Sequence, residues 1–287
     1  MDRLHEYCRE EDGVRRTKVD KVFLQDNRVL QNLISLEEKY TVTFPYFKCV
    51  QTDLKPYMRK MVSTWMLEVC EEQRTEEEVF PLAMNYMDRF LSTTNIHKTQ
   101  LQVLGTTCLF IASKLKDTIP LTAEQLVKYT DNSVSFDELM DWELLVVTKL
   151  RWDLSSVTAH DFLDQLLCRL PIVDNDQLLS IKRHAQTFIA LCATDSNFIL
   201  SPPSMIAGAS IAASISGLIG PQWVKILNIL DHLQRVTGIE SDCLASCQEL
   251  IEQTLSSNVP HLNPPPQTKI EHHEHPLTPT DIQDVHF

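Results

Sequence analysis

The sequence predicts an all-α protein: two tandem bundles of about five helices each, followed by a flexible C-terminal tail. Helix-start signals recur along the chain, strand signals are nearly absent, and two long segments are apolar on nearly every side. With 287 residues and 43% hydrophobic content, the chain can bury one large or two medium cores. Its 6 glycines are sparse for an antiparallel β protein or a phosphate-cradling enzyme.

Residues 1–54 form an N-terminal segment and helix. Its start, Met1 to Asp20, alternates acidic and basic residues without an apolar core, which predicts no secretory signal peptide. The first bundle spans residues 55–152. Met58, Met61, Val62, Trp65 and Val69 repeat at helical spacing, as do Val79, Ala83, Met87, Phe90 and Leu91. Thr75 with Glu78, Thr122 with Gln125, and Ser135 with Glu138 each fit a capping box, in which a hydroxyl and an acid or amide satisfy orphan amides reciprocally. Pro81 removes an amide inside the second helical pattern and predicts a kink or a late start there.

Leu101 to Leu115 and Met205 to Leu218 are the two segments that must be enclosed by other helices, so each is the expected centre of a bundle. They lie roughly 100 residues apart, about one domain length. The second bundle spans residues 153–255, with Asp153 to Val157 as its linker to the first. After Ser256 the composition shifts. Three consecutive prolines and then His272, His273 and His275 lack any helical period, so residues 256–287 read as a disordered regulatory tail.

The net charge of −13 argues against nucleic-acid and anionic-membrane binding and favours a protein partner. No apolar run reaches the ~20 residues a bilayer requires. The 8 cysteines are scattered as small hydrophobes would be, without a Cys-x-x-Cys pair, and the tail histidines lack further spaced ligands. The expectation is reduced thiols, no metal and no cofactor.

Met58-Arg59-Lys60-Met61-Val62-Ser63-Thr64-Trp65 resembles the signature that opens the cyclin box, and Ala112-Ser113-Lys114-Leu115-Lys116 resembles its second landmark. Trp65 to Gln73, Phe80 to Asn85, Phe188 to Asp195 and the terminal Thr278-Pro279-Thr280-Asp281 are similar to D-type cyclins in particular. That resemblance implies two tandem cyclin boxes and a non-enzymatic regulatory subunit that activates cyclin-dependent kinase 4 or 6. It implies phosphorylation of retinoblastoma-type proteins, entry from G1 into S phase, and a nuclear and cytoplasmic location.

By the same resemblance Lys114 and Glu143 contact the kinase, and no residue is catalytic. The plainer reading makes Lys114 a cation at a helix C-terminus and Glu143 a solvated acid. Met58, Met61, Val62 and Trp65, with Gln102 as polar rim, resemble a docking patch for substrates and kinase inhibitor proteins; the alternative is that they are core. Thr278 and Thr280 match a phosphorylation site that leads to a ubiquitin ligase, since a phosphate adds nearly two negative charges. One departure stands out: where D-type cyclins carry Leu-x-Cys-x-Glu, this chain has Glu6 before Cys8 and Glu10. Burying Glu6 in an apolar pocket would cost on the order of a few kcal/mol, which predicts weak direct docking of pocket proteins. Two other readings compete: a cyclin-fold scaffold in a transcription complex, which needs a basic face, and an enzyme using Cys192 or His184, which needs an activated thiol.

Overall fold

The computed structural model describes residues 20–172 and 174–258, and among them the regular structure is helical. Three helices precede the first bundle: α1 (Lys21–Gln25), α2 (Asn27–Tyr40) and α3 (Tyr46–Cys49). The first bundle holds α4 (Pro56–Gln73), α5 (Val79–Thr93), α6 (Leu101–Lys116), α7 (Ala123–Tyr129) and α8 (Phe136–Lys149). The second holds α9 (Ala159–Leu167), α10 (Asn175–Thr194), α11 (Pro203–Leu218), α12 (Pro221–Ile226), α13 (Ile229–Thr237) and α14 (Ser241–Asn258). The expected fourth helix of the second bundle is thus two short ones. Asn228 adopts a left-handed φ of 48° and breaks it, a conformation asparagine tolerates better than most residues.

Helix starts follow local chemistry. Asp20 and Asp26 cap α1 and α2, their carboxylates accepting from the Val22 and Arg28 amides at 2.8 and 2.9 Å. Thr122 and Gln125 form the full reciprocal box at α7, and Ser135 Oγ accepts from the Glu138 amide at 3.2 Å to start α8. Thr75 and Glu78 form no such box. Proline fits only the first turn of a helix, where its missing amide would be an orphan anyway, so α5 begins late, at Val79, with Pro81 in that turn.

Helices α6 and α11 are buried on nearly all sides and centre the two cores. A side chain at Gly105 of α6 would put its Cβ 2.7 Å from Val62 Cγ1, so α4 and α6 meet closely because that residue is glycine. Helix α2 touches the bundle it precedes at Tyr40, whose carbonyl accepts from Asn85 Nδ2 at 3.0 Å, but its apolar face packs on the second bundle. Leu30, Leu33, Ile34 and Tyr40 of α2 join the core of the second bundle with Phe162 and Leu166. Glu37, 6% exposed, accepts from Ser204 N and Oγ at 2.8 and 2.7 Å, supplying the cap that α11 otherwise lacks.

A buried ion pair joins the bundles. Arg59, 2% exposed, donates Nε and Nη2 to the two oxygens of Asp88 at 2.7 Å each, and Nη1 and Nη2 reach the carbonyls of Thr194 and Ala193 at 3.2 and 3.0 Å. Tyr46 Oη donates to Asp88 Oδ1 at 2.8 Å. Burial opposes charge on Arg59, but the Asp88 carboxylate more than offsets it and raises the guanidinium pKa above its ordinary value. The linker is tied down too. Tyr86 donates to Leu154 O at 2.5 Å, and Arg89 bonds Asp153 O at 3.1 Å and Ser156 Oγ at 2.6 Å.

His160 of α9 has both ring nitrogens inaccessible and without a hydrogen-bond partner among the described residues. Burial lowers its pKa to about 4, with Glu78, Lys182 and Lys116 as its charged neighbours. The folded state therefore holds it neutral while the unfolded chain takes up a proton near pH 6.5. The stability it contributes is complete above about pH 6.5 and declines, by on the order of 2–3 kcal/mol, as the pH falls toward about 4. Urea unfolding of a His160→Leu variant across this range is expected to show a shallower pH slope than the native chain. Equal slopes would place the imidazole in water.

Candidate partner-binding surface

Lys114 stands in the last turn of α6 and Glu143 in the middle of α8. Packing of these helices brings the two side chains together, with Nζ 2.6 Å from Oε1. The ammonium also lies 3.7 Å from the centroid of the Phe110 ring, whose face attracts a cation. Both charged groups remain partly exposed, so the pair adds little to stability and its hydrogen-bonding capacity is available to a partner. Lys114 also satisfies the plainer expectation, a cation at a helix C-terminus.

The apolar surroundings of this pair were missed in the sequence. Leu115 follows Lys114, Ile119 lies in the next loop, and Leu144 follows Glu143; they are 51%, 86% and 62% exposed. Phe136, at the start of α8, is also exposed. An available signal was the run Leu144-Leu145-Val146-Val147, because four successive apolar residues cannot all face one side of a helix. Exposed large apolar residues around a polar pair have the composition of a protein interface.

On α4 the fully buried row is Arg59, Ser63, Met66, Val69 and Cys70. The Met58, Val62 and Trp65 stripe is half-buried against the first core, while Met61 is 67% exposed. Gln102 lies one turn before Gly105 on α6, the residue against which Val62 packs, and its side chain accepts from Ser133 Oγ at 3.2 Å. Within the stripe Met61 is the most exposed apolar member. Thr278, Thr280, Glu6, Cys8 and Glu10 lie outside the described residues.

Neither residue of the enzyme reading has an activating setting. Burial pushes the Cys192 thiol well above its ordinary pKa, which disfavours the thiolate nucleophile. His184 is eight residues earlier on α10, about 12 Å along the axis, and its Nδ1 is engaged with Ser180 O at 2.9 Å.

Two tandem helical bundles, locked by a buried arginine and bearing a Lys–Glu pair in an apolar rim, define the architecture of a cyclin. Residues 28–155 match the family model for the cyclin N-terminal domain and residues 157–276 that for the cyclin C-terminal domain. The chain is 51% identical over 288 residues to G1/S-specific cyclin-D2 of Xenopus laevis, covering 98% of this chain and 99% of that one. It is 51% identical to G1/S-specific cyclin-D1 of Danio rerio over 98% of both chains, and 50% identical to G1/S-specific cyclin-D3 of Homo sapiens over 93% of this chain and 94% of the other. The X-ray structure of a viral cyclin from herpesvirus saimiri superposes with a TM-score of 0.70 at 26% identity, covering 80% of this chain and 97% of that one. The chain belongs to the cyclin family, within its D-type group.

Proposed function

We propose that this chain is the activating subunit of cyclin-dependent kinase 4 or 6 and drives the G1/S transition through phosphorylation of retinoblastoma-type proteins. The observation that carries the reading is the Lys114–Glu143 pair set among exposed Leu115, Ile119 and Leu144. Those apolar side chains offer area to pack against the mobile regulatory helix of a kinase. The charged heads supply strong hydrogen bonds to its backbone and fix the orientation. Packing there favours the kinase conformation in which its own Lys–Glu pair forms, a shift in population that brings no catalytic group from the cyclin.

Met61 with Met58, Val62, Trp65 and Gln102 is the proposed docking patch for substrates and kinase inhibitor proteins. Phosphorylation of Thr278 or Thr280 is the proposed signal to a ubiquitin ligase, and the complex works in nucleus and cytoplasm. The test is phosphorylation of a pocket-protein fragment by kinase 4 and by kinase 6, each alone, with this chain, and with a Leu144→Asp variant. Native chain is expected to activate at least one kinase, and the variant, changed at a surface position, to fold but fail to activate. Failure of the native chain with both kinases would overturn the proposal.

A further inference from the structure

Against a net charge of −13, one concavity of the described structure is basic. It lies between the segment that follows α2, the C-terminal half of α5 and the end of α8, with a volume of about 590 Å³. Lys39, Arg89, Lys149 and Arg151 line it, with Asp153 as the one carboxylate among its lining residues. Lys39 is paired with Asp153, and Arg89 with the linker carbonyl of Asp153. Lys149 and Arg151 are exposed and have no ion-pair partner among the described residues. Thr43 and Thr148 bring hydroxyls that make no hydrogen bond there.

The charge of these two residues exceeds what the adjoining helix end needs. Lys149 complements the end of α8, which asks for about half a unit of charge, but Arg151 lies past that helix end, left-handed at φ 57°. The Arg89 guanidinium is held below its ordinary pKa by burial, a cost that an anion in the concavity would relieve. Excess cations with free hydroxyl donors match a phosphate monoester, whose oxygens accept several charge-assisted hydrogen bonds. Val42, Leu150 and the exposed Phe44 also line the concavity, and such apolar side chains suit the residues that flank a phosphate group in a peptide.

We infer that this concavity binds a phosphorylated peptide segment of a partner protein, with Lys149 and Arg151 meeting the phosphate. A peptide is favoured over nucleic acid because the attraction is confined to one pocket. Beyond a screening length of about 8–10 Å, a polyanion meets the repulsion of the acidic remainder.

The test is fluorescence anisotropy of the full chain with a labelled heptapeptide pool fixed on a central phosphothreonine, with the same pool carrying threonine, and with a short single-stranded oligonucleotide. The phosphorylated pool is expected to bind, to be displaced by inorganic phosphate and to weaken with salt. A Lys149→Glu/Arg151→Glu variant is expected to lose at least about tenfold in affinity, and Lys128→Glu, an exposed cation on α7, to lose little. Lys149→Gln/Arg151→Gln gives the answer should charge reversal impair folding, as read by circular dichroism. Equal binding of both pools, unchanged binding by the variants, preference for the oligonucleotide, or no binding at all would each overturn the inference.

Discussion

Replacing Arg59 by alanine is expected to lower the unfolding free energy by about 3–5 kcal/mol, because it leaves Asp88 buried without its counter-charge. A domain of this kind has a total stability of about 5–15 kcal/mol, so the variant is close to unfolding at body temperature. The loss extends beyond the pair. The Ala193 carbonyl at the end of α10 loses its donor from the other bundle, the Thr194 carbonyl keeps only Ser63 Oγ at 3.3 Å, and Tyr46 is left against a lone carboxylate. Urea titration followed both by circular dichroism and by tryptophan fluorescence checks this, with the two curves expected to separate as the bundles uncouple. Arg59→Met combined with Asp88→Leu should recover most of the loss, since an apolar pair needs no counter-charge. A loss under about 1 kcal/mol in Arg59→Ala would mean that water reaches Asp88.

Exchanging the charges of Lys114 and Glu143 separates an architectural role from a recognition role. Lys114→Glu alone sets two carboxylates within reach of one another and is expected to abolish kinase activation, a loss of about 100-fold or more if two charge-assisted hydrogen bonds of about 1.5–3 kcal/mol each disappear. Adding Glu143→Lys restores attraction between α6 and α8. If the pair serves only to hold those helices together, activation returns. If it faces the kinase, the double variant is as stable as the native chain yet still inactive, because donor and acceptor are presented in the reversed order. Thermal melts together with the pocket-protein phosphorylation assay distinguish the two.

The fold was legible where chemistry is local. Capping at Thr122 and Ser135, the late start forced by Pro81 and the two all-apolar helices need only neighbours in sequence to be read. What stayed hidden joins distant parts of the chain. Arg59 falls outside the apolar repeat of its helix, and nothing local marks it as buried, since its partners Asp88, Ala193 and Thr194 lie 29 to 135 positions away. Helix α4 buries the arginine row and leaves the methionine and tryptophan stripe half-covered, the reverse of what hydrophobic periodicity alone suggests. Lys114 and Glu143 were each visible through family resemblance, but not their bond to each other. Likewise the four cations of the basic concavity come from α2, α5 and α8 and the turn beyond it, and no window of sequence contains them together.

Helix α2 is made early by the ribosome, but its seat is on α9 and α11. Ser204, the residue that Glu37 binds, follows it by 167 positions. At about 5–20 residues per second, translation leaves α2 waiting on the order of 10–30 s before that partner has been made. Until α9 follows, Leu30, Leu33 and Ile34 have no native cover, and α11 completes their seat only later, after the whole first bundle has been made and can close around α6. Nascent chains halted inside the second bundle are therefore the species for which chaperones have most to protect, and α2 is the segment they would hold.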